Sequence, residues 1–536
     1  MIASGSSNSL HQRSIAAITE AAYRAISQRF PICAASDEFY FFPQVLAAQC
    51  NWSAWDDFSA ASIEAAAGEI RSGEDALSVF EGEQLSSAEQ IDVDLLRSTL
   101  CILREQLCDF APHRTQPTFH LTIVAAGLAE ALASDDPAAW PGRTAGLPQF
   151  LQRAAGCFER VPRIFLEMGR DMVGDLLSWL GQLEGPGRET REIRHALVEF
   201  QAGLKKISVG DDFRLPEERI SDLIATHIGC GMSIGQVSEI LDQEFRRMTE
   251  TLEREVSRLA PGCDWTEAER LIPFCKAPGG DLLDLYRSEL VKLEAHCRAQ
   301  GFVPEAVPPE GTLQLAEVPA SLAAIRASDA YSAIPGHPSR GGIFYVMPER
   351  HGRAGQTGRS LEYRLTSIHE AWPGHHLLDF SRWSLDRFLR RPIEKPLFYE
   401  GWACLAEELM ACTGYLDNPW DRFLLARRRI ERAARGLIDL GLQAGRMDLE
   451  EAAGLLVTVG YRPETARSVV PKYLLRPGYQ VCYTVGLQQG LKLLEAYGRN
   501  SFGPFVRKVL AQGEIGFDSL ARLFEEDLST PFRRGR

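Results

Sequence analysis

Three of the chain's eleven histidines stand beside a glutamate in Thr366-Ser-Ile-His-Glu-Ala-Trp-Pro-Gly-His-His-Leu-Leu. Imidazole nitrogens hold divalent metals, and a carboxylate next to a metal can serve as a general base. The usual helical zinc signature places its two histidines at i and i+4 on one helical face. Here i+4 from His369 is Pro373, while His375 and His376 lie at i+6 and i+7. Proline cannot donate the helical hydrogen bond and disfavours helical geometry at Trp372. Gly374 permits a tight reversal. The segment therefore reads as a helix ending near Ala371, a loop, and a second helix that returns a histidine beside His369. A capped helix junction with incidental histidines fits the same spacing.

A carboxylate for a third ligand lies one helix downstream, in Phe398-Tyr-Glu-Gly-Trp-Ala-Cys-Leu-Ala-Glu-Glu-Leu-Met. Glu400 follows His375 by 25 residues, a loop-plus-helix separation. Glu407 falls seven residues further, on nearly the same helical face, where it could orient a ligating histidine. Glu408 points elsewhere and reads as a surface carboxylate. The cluster Arg427-Arg-Arg-Ile-Glu-Arg reads as a solvated helix face with local ion pairs, and Phe39-Tyr-Phe-Phe as core packing.

These elements sit in a mainly helical chain. Val93, Leu96, Leu100, Leu103 and Leu107 follow the alternating spacing of an amphipathic helix. Similar patterns recur around 148–168, 190–206, 217–228, 235–259 and 281–299, with Ser233 as a candidate N-cap. Pro-Gly and Gly-Gly pairs at 261–262 and 278–280 mark turns. Pro304, Pro308, Pro309 and Gly311 form a loop-rich connection, dividing the chain into a helical half, 1–300, and a candidate catalytic half, 301–536. Gly341-Gly-Ile-Phe-Tyr-Val-Met-Pro is the best strand candidate. Its Ile343, Phe344 and Tyr345 are expected to bind an extended peptide by main-chain pairing. Arg476 and Lys472 could receive a substrate carboxylate.

Three segments in order resemble the domain-of-unknown-function family 885, similar to a branch of the gluzincin metallopeptidases. They are His369-Glu-Ala-Trp-Pro-Gly-His-His, Glu400-Gly-Trp-Ala-Cys-Leu-Ala-Glu407 and Arg476-Pro-Gly-Tyr-Gln-Val-Cys-Tyr-Thr-Val-Gly486. A weaker likeness runs from Asp92 to Pro117. The resemblance implies a Zn2+ cofactor held by His369, His375 and Glu400, with Glu370 as general base. Tyr483, assisted by Tyr479, would stabilise the oxyanion. His376 and Glu407 would support the ligands. The implied fold is mainly α: two helical halves flank a deep cleft, with a very small β-sheet near the metal. Two departures stand out. Tyr479 precedes Gln480 where the family continues Pro-Gly-Gln. Gln443 ends Asp439-Leu-Gly-Leu-Gln where the family often carries a histidine, so Gln443 is a candidate substrate-binding residue.

Composition bounds the alternatives. With 536 residues, 45% hydrophobic and 24% charged, the chain has the balance of an ordinary folded enzyme. Its net charge of −14, without a long basic run, argues against nucleic-acid binding. No stretch has the length of a membrane span. Twelve scattered cysteines without a CxxC pair, and a start without a signal-peptide pattern, suggest a cytoplasmic protein. The expected function is zinc-dependent hydrolysis of a peptide or peptide-like amide. A tailoring enzyme of natural-product metabolism on the same fold, or a metal-free scaffold, is the alternative. Oligomeric state is not legible.

Overall fold

The computed structural model describes residues 4–45, 51, 53–183, 188–210, 212–308, 312–320, 322, 328–348, 358–499 and 501–529. Helices account for 67% and strands for 5%, the mainly helical architecture expected from the periodicity. One apolar core extends from Ile15 to Phe524, passing through both sides of the expected boundary. Pro304 and Pro308 lie in coil, while Pro309 and Gly311 fall outside the described residues. Among the described residues, no helix is long and apolar enough to cross a membrane.

Seven helices and one sheet position the site: α1 (Ser87–Glu105), α2 (Ile234–Leu259), α3 (Tyr363–Glu370), α4 (His375–Trp383), α5 (Pro396–Cys412), α6 (Asp421–Gln443) and α7 (Val481–Leu493). Ser233 caps α2 as expected: its side chain accepts from Gln236 N–H, and the Gln236 side chain bonds back. The pattern at 148–168 is not one helix. Helix Ala139–Cys157 ends, a bridge forms at Val161–Pro162, and a new helix begins at Arg163. Pro162 explains the break, because it cannot donate within a continuous helix.

The sheet has the order β1 (Leu313–Glu317), β3 (Gly342–Val346), β2 (Ala330–Ala333). Strand β3 pairs with β1 in parallel and with β2 antiparallel. The strand forms where expected, but its assigned role does not hold. Ile343, Phe344 and Tyr345 belong to the central strand, whose main chain is already paired on both sides, so it cannot accept a substrate strand. Phe344 is fully buried against Tyr286. The edge near the metal-ligand candidates is β2.

Buried ion pairs tie distant segments together. Asp92 on α1 accepts from Arg390 Nε at 2.6 Å and pairs with Arg387. Glu244 on α2 accepts from Arg429 on α6 at 2.6 Å and from Gln488 on α7 at 2.9 Å. Removing one partner of such a pair strands a buried charge. Asp92→Ala is therefore expected to destabilise the fold by about 3–5 kcal/mol. Removing the exposed Arg97–Glu81 contact is expected to cost about 1 kcal/mol or less. Denaturant titration of both variants provides the comparison.

Candidate metal centre

Helix α3 ends at Glu370, and Ala371 leaves helical geometry at φ −120°, ψ −86°. The chain resumes as α4 at His375 after a loop containing a cis Trp372–Pro373 bond. The interruption expected from Pro373 is therefore present. Gly374 is required by close approach: a Cβ there would lie 1.9 Å from the His369 carbonyl oxygen. Its N–H donates to Ile368 O at 3.1 Å. Trp402 on α5 clamps the loop, donating from Nε1 to Pro373 O at 3.0 Å. No local sequence signal marks this role, because it depends on α5 packing against the loop.

The kink brings the two imidazoles together with ring centroids 4.8 Å apart. His369 Nε2 lies 3.4 Å and His375 Nε2 3.7 Å from Glu400 Oε2. That oxygen is buried and makes no hydrogen bond among the described residues. Three lone-pair donors thus converge on one point. Ligands about 2.0–2.1 Å from a tetrahedral metal stand about 3.3–3.4 Å apart, so the donor set fits a divalent ion. One carboxylate oxygen of Glu370 also lies within 4.8 Å of the histidine ligand atoms. Glu400 is the better third ligand because Glu370 Oε2 already accepts from Tyr331 N–H at 2.9 Å. Burial, opposed in part by His375, pushes the Glu370 carboxyl up to about 7.

The surroundings orient these groups. His369 Nδ1 lies 3.1 Å from Glu407 Oε1, which fixes Nε2 as its metal-facing atom. Glu407 is fully buried and receives Arg432 through both oxygens, at 2.8 and 2.7 Å, and Arg428 at 3.2 Å. Burial opposes its charge, but these guanidiniums hold its pKa well below the carboxylate range. The arginine cluster is consequently not a solvated face. Arg428, Arg429 and Arg432 are largely enclosed, and Arg429 also pairs with Glu408 at 2.6 Å. The sequence pattern failed here because arginine is buried only where carboxylates from other elements meet it. Those partners, Glu407, Glu408 and Glu244, lie on α5 and α2.

His376 points elsewhere. It is fully buried, with Nε2 3.1 Å from Thr312 Oγ1 and Nδ1 3.4 Å from the Tyr331 hydroxyl, and burial pushes its pKa down to about 3. It braces α4 against the sheet and does not meet the His369–Glu400 cluster. His375 stacks on Tyr399 with ring centroids 3.9 Å apart.

Helices α5 and α7 touch through Gly401 and Gly486. A Cβ on Gly401 would come within 2.6 Å of the Gly486 backbone. This crossing places the third motif beside Glu400. Tyr479 donates its hydroxyl to Glu400 Oε1 at 2.9 Å, so it orients the carboxylate and is not free to meet an oxyanion. Burial, then the Glu400 charge, raises the Tyr483 pKa well above its usual value, keeping it a neutral donor. Arg435 lies 4.5 Å over the Tyr483 ring. The 477–480 turn is held by Asp439, which accepts from Gly478 and Gln480 N–H, both at 3.0 Å.

Of two expected substrate contacts, Gln443 is engaged by protein and Arg476 only in part. Gln443 is buried, and its Oε1 accepts from Leu215 N–H at 3.1 Å. Eleven residues of helix place it about 16 Å along α6 from Arg432, away from the histidines. Arg476 donates from Nη2 to Glu38 O at 2.5 Å and approaches Glu38 Oε2 at 3.4 Å. It lines a cavity of about 1140 Å³ bounded by residues from both halves, among them Tyr40, Phe213 and Lys472. Tyr40, expected in the core, instead reaches this cavity and packs on Tyr479 with centroids 5.8 Å apart.

Fold and donor set define a mainly helical protein with a buried two-histidine, one-carboxylate centre. The chain belongs to DUF885, a family of bacterial proteins of unknown function, whose model matches residues 48–523. Its fold is similar to that of a candidate lipoprotein of unknown function from Shewanella oneidensis. The TM-score is 0.73 at 18% identity, covering 95% of this chain and 99% of that one. A candidate lipoprotein from Colwellia psychrerythraea aligns with TM-score 0.76 at 14% identity, over 97% and 99%. A Pyrococcus furiosus carboxypeptidase aligns over 96% and 98% at 13% identity, with a TM-score of 0.41, too low to carry a fold argument. No curated protein matches the sequence.

The geometry separates the adjacent histidines experimentally. Added divalent metal is expected to raise the unfolding free energy of metal-free protein by about 2.7 kcal/mol at a hundredfold excess over Kd. His375→Ala is expected to abolish that gain, and His376→Ala to keep it while lowering the starting stability. Glu407→Gln is expected to weaken metal affinity about 10–100-fold. Chelator competition measures each.

Proposed function

We propose that this protein is a zinc-dependent hydrolase of peptide or peptide-like amide bonds. The observation that carries the reading is the convergence of His369 Nε2 and His375 Nε2 on the unpartnered Glu400 Oε2, with Glu370 alongside. Two imidazoles and one carboxylate suit zinc and leave a coordination position open. A zinc ion held there supplies Lewis acidity toward a carbonyl and a water of near-neutral pKa.

The chain's own groups account for the proton traffic. Tyr331 N–H fixes Glu370 Oε2, leaving the other oxygen to take a proton from the attacking water. The same oxygen then returns the proton to the departing nitrogen. Tyr483, neutral and set between Glu400 and Arg435 by the α5–α7 crossing, would turn its hydroxyl from Glu400 to the developing oxyanion. Tyr479 positions Glu400. Strand β2 supplies a sheet edge beside Glu370, where an extended substrate could pair with main chain. With Gln443 packed against Leu215, its replacement of the family histidine gives no specific support to tailoring chemistry.

Elemental analysis and peptide-library digestion test the proposal together. The protein is expected to retain stoichiometric zinc and cleave peptides. Glu370→Gln should lower kcat/KM by about 10²–10⁴ with zinc retained. Tyr483→Phe should lower kcat by about 10²–10³. Sub-stoichiometric zinc after metal-replete expression would favour a scaffold, and undiminished cleavage by Glu370→Gln would remove it as the base.

A further inference from the structure

We propose that the large cavity receives the C-terminal end of the substrate and that Arg476 binds its free carboxylate. This rests on the hydrolase reading and makes the enzyme one that cuts short peptides within two or three residues of the C-terminus.

The guanidinium of Arg476 is only partly committed. Its Nη2 is engaged by Glu38, while Nε and Nη1 have no hydrogen-bond partner among the described residues. The side chain is 39% exposed and lines the 1140 Å³ cavity. An open guanidinium edge is the geometry that receives a carboxylate through two parallel hydrogen bonds. The Glu38 carboxylate is a weak competitor, touching one nitrogen at 3.4 Å in a partly exposed pair. Other cations on this wall are more fully matched: Arg467 pairs with Glu450 and Arg214 with Asp212. Lys472, exposed on the same wall, adds positive charge.

Placement relative to the cluster gives the position of cleavage. Arg476 Cζ lies 5.8 Å over the Tyr479 ring, whose hydroxyl bonds Glu400 Oε1 at 2.9 Å. A single tyrosine side chain thus separates the carboxylate receptor from a metal-ligand candidate. Two or three residues of extended peptide span about 7–11 Å, the length needed to pass that ring. A second cavity of about 400 Å³, beside Ser332 and Ala333 of β2, shares Glu38 with the first. Its wall includes the strand whose Tyr331 N–H holds Glu370. Glu38 lines both cavities, and substrate entry into the first would exchange its carboxylate on Arg476 for the peptide's own.

The test uses zinc-loaded Glu370→Gln protein and calorimetric binding of three alanine-based peptides: a free acid, its C-terminal amide, and an amide carrying a glutamate side chain. Charged hydrogen bonds of this kind predict that the free acid binds about tenfold or more tightly than its amide. Arg476→Ala should erase the difference, Arg476→Lys should restore part of it, and Glu38→Gln should enlarge it. Equal affinity for acid and amide, no binding of either, or a preference that survives Arg476→Ala would overturn the proposal. Tight binding of the glutamate-bearing amide would assign Arg476 to a side-chain carboxylate and overturn the C-terminal role. If the parent cleaves no peptide while the acid preference and its loss in Arg476→Ala persist, the hydrolase reading falls and the carboxylate site stands.

Discussion

Glu407 is a carboxylate with no exposure to solvent, and much of the site's geometry depends on how its charge is met. An unpaired buried carboxylate would be protonated or would unfold its surroundings. Here α6 supplies Arg432 to both oxygens and Arg428 to one. Glu407 is thereby kept ionised, its position is fixed between α5 and α6, and its Oε1 is aimed at His369 Nδ1. One salt-bridged residue consequently sets the helix packing and the ring orientation of a ligand candidate.

The kink between α3 and α4 solves a second problem. A continuous helix would carry residues six apart to different faces, leaving His375 turned away from His369. The loop through Pro373 and Gly374 resets the phase. Trp402 bonds the loop carbonyl, and the missing Cβ of Gly374 lets the chain close onto His369 O. The result is two imidazoles near one carboxylate without the usual i,i+4 spacing.

The helical class, the helix break at Pro373 and the grouping of His369, Glu370, His375 and Glu400 were legible because each rests on local pattern or motif. What failed depended on tertiary context. Ile343–Tyr345 reads as a strand from composition, but its central place in the sheet depends on where Leu313–Glu317 and Ala330–Ala333 come to lie. The arginines from 427 to 432 look solvated until carboxylates of α2 and α5 are set against them. Tyr479 and Tyr483 are four residues apart in one motif; only the α5–α7 crossing shows that both reach Glu400, Tyr479 through Oε1 at 2.9 Å and Tyr483 between Glu400 and Arg435. Likewise, adjacent His375 and His376 stand about 100° apart around α4, which turns one to Tyr399 of α5 and the other to Thr312 beside the sheet.

The α5 helix provides Glu400, braces His369 through Glu407 and holds the kink that presents His375 through Trp402. The convergence of the three donor atoms is therefore set within residues 363–412, whereas Glu38 and Arg476 meet from distant parts of the sequence. A local shift of the Glu38 segment would widen or narrow the large cavity without moving α5. The width of the cavity and the register of the donor atoms are thus held by different segments, so sequence change at one need not perturb the other.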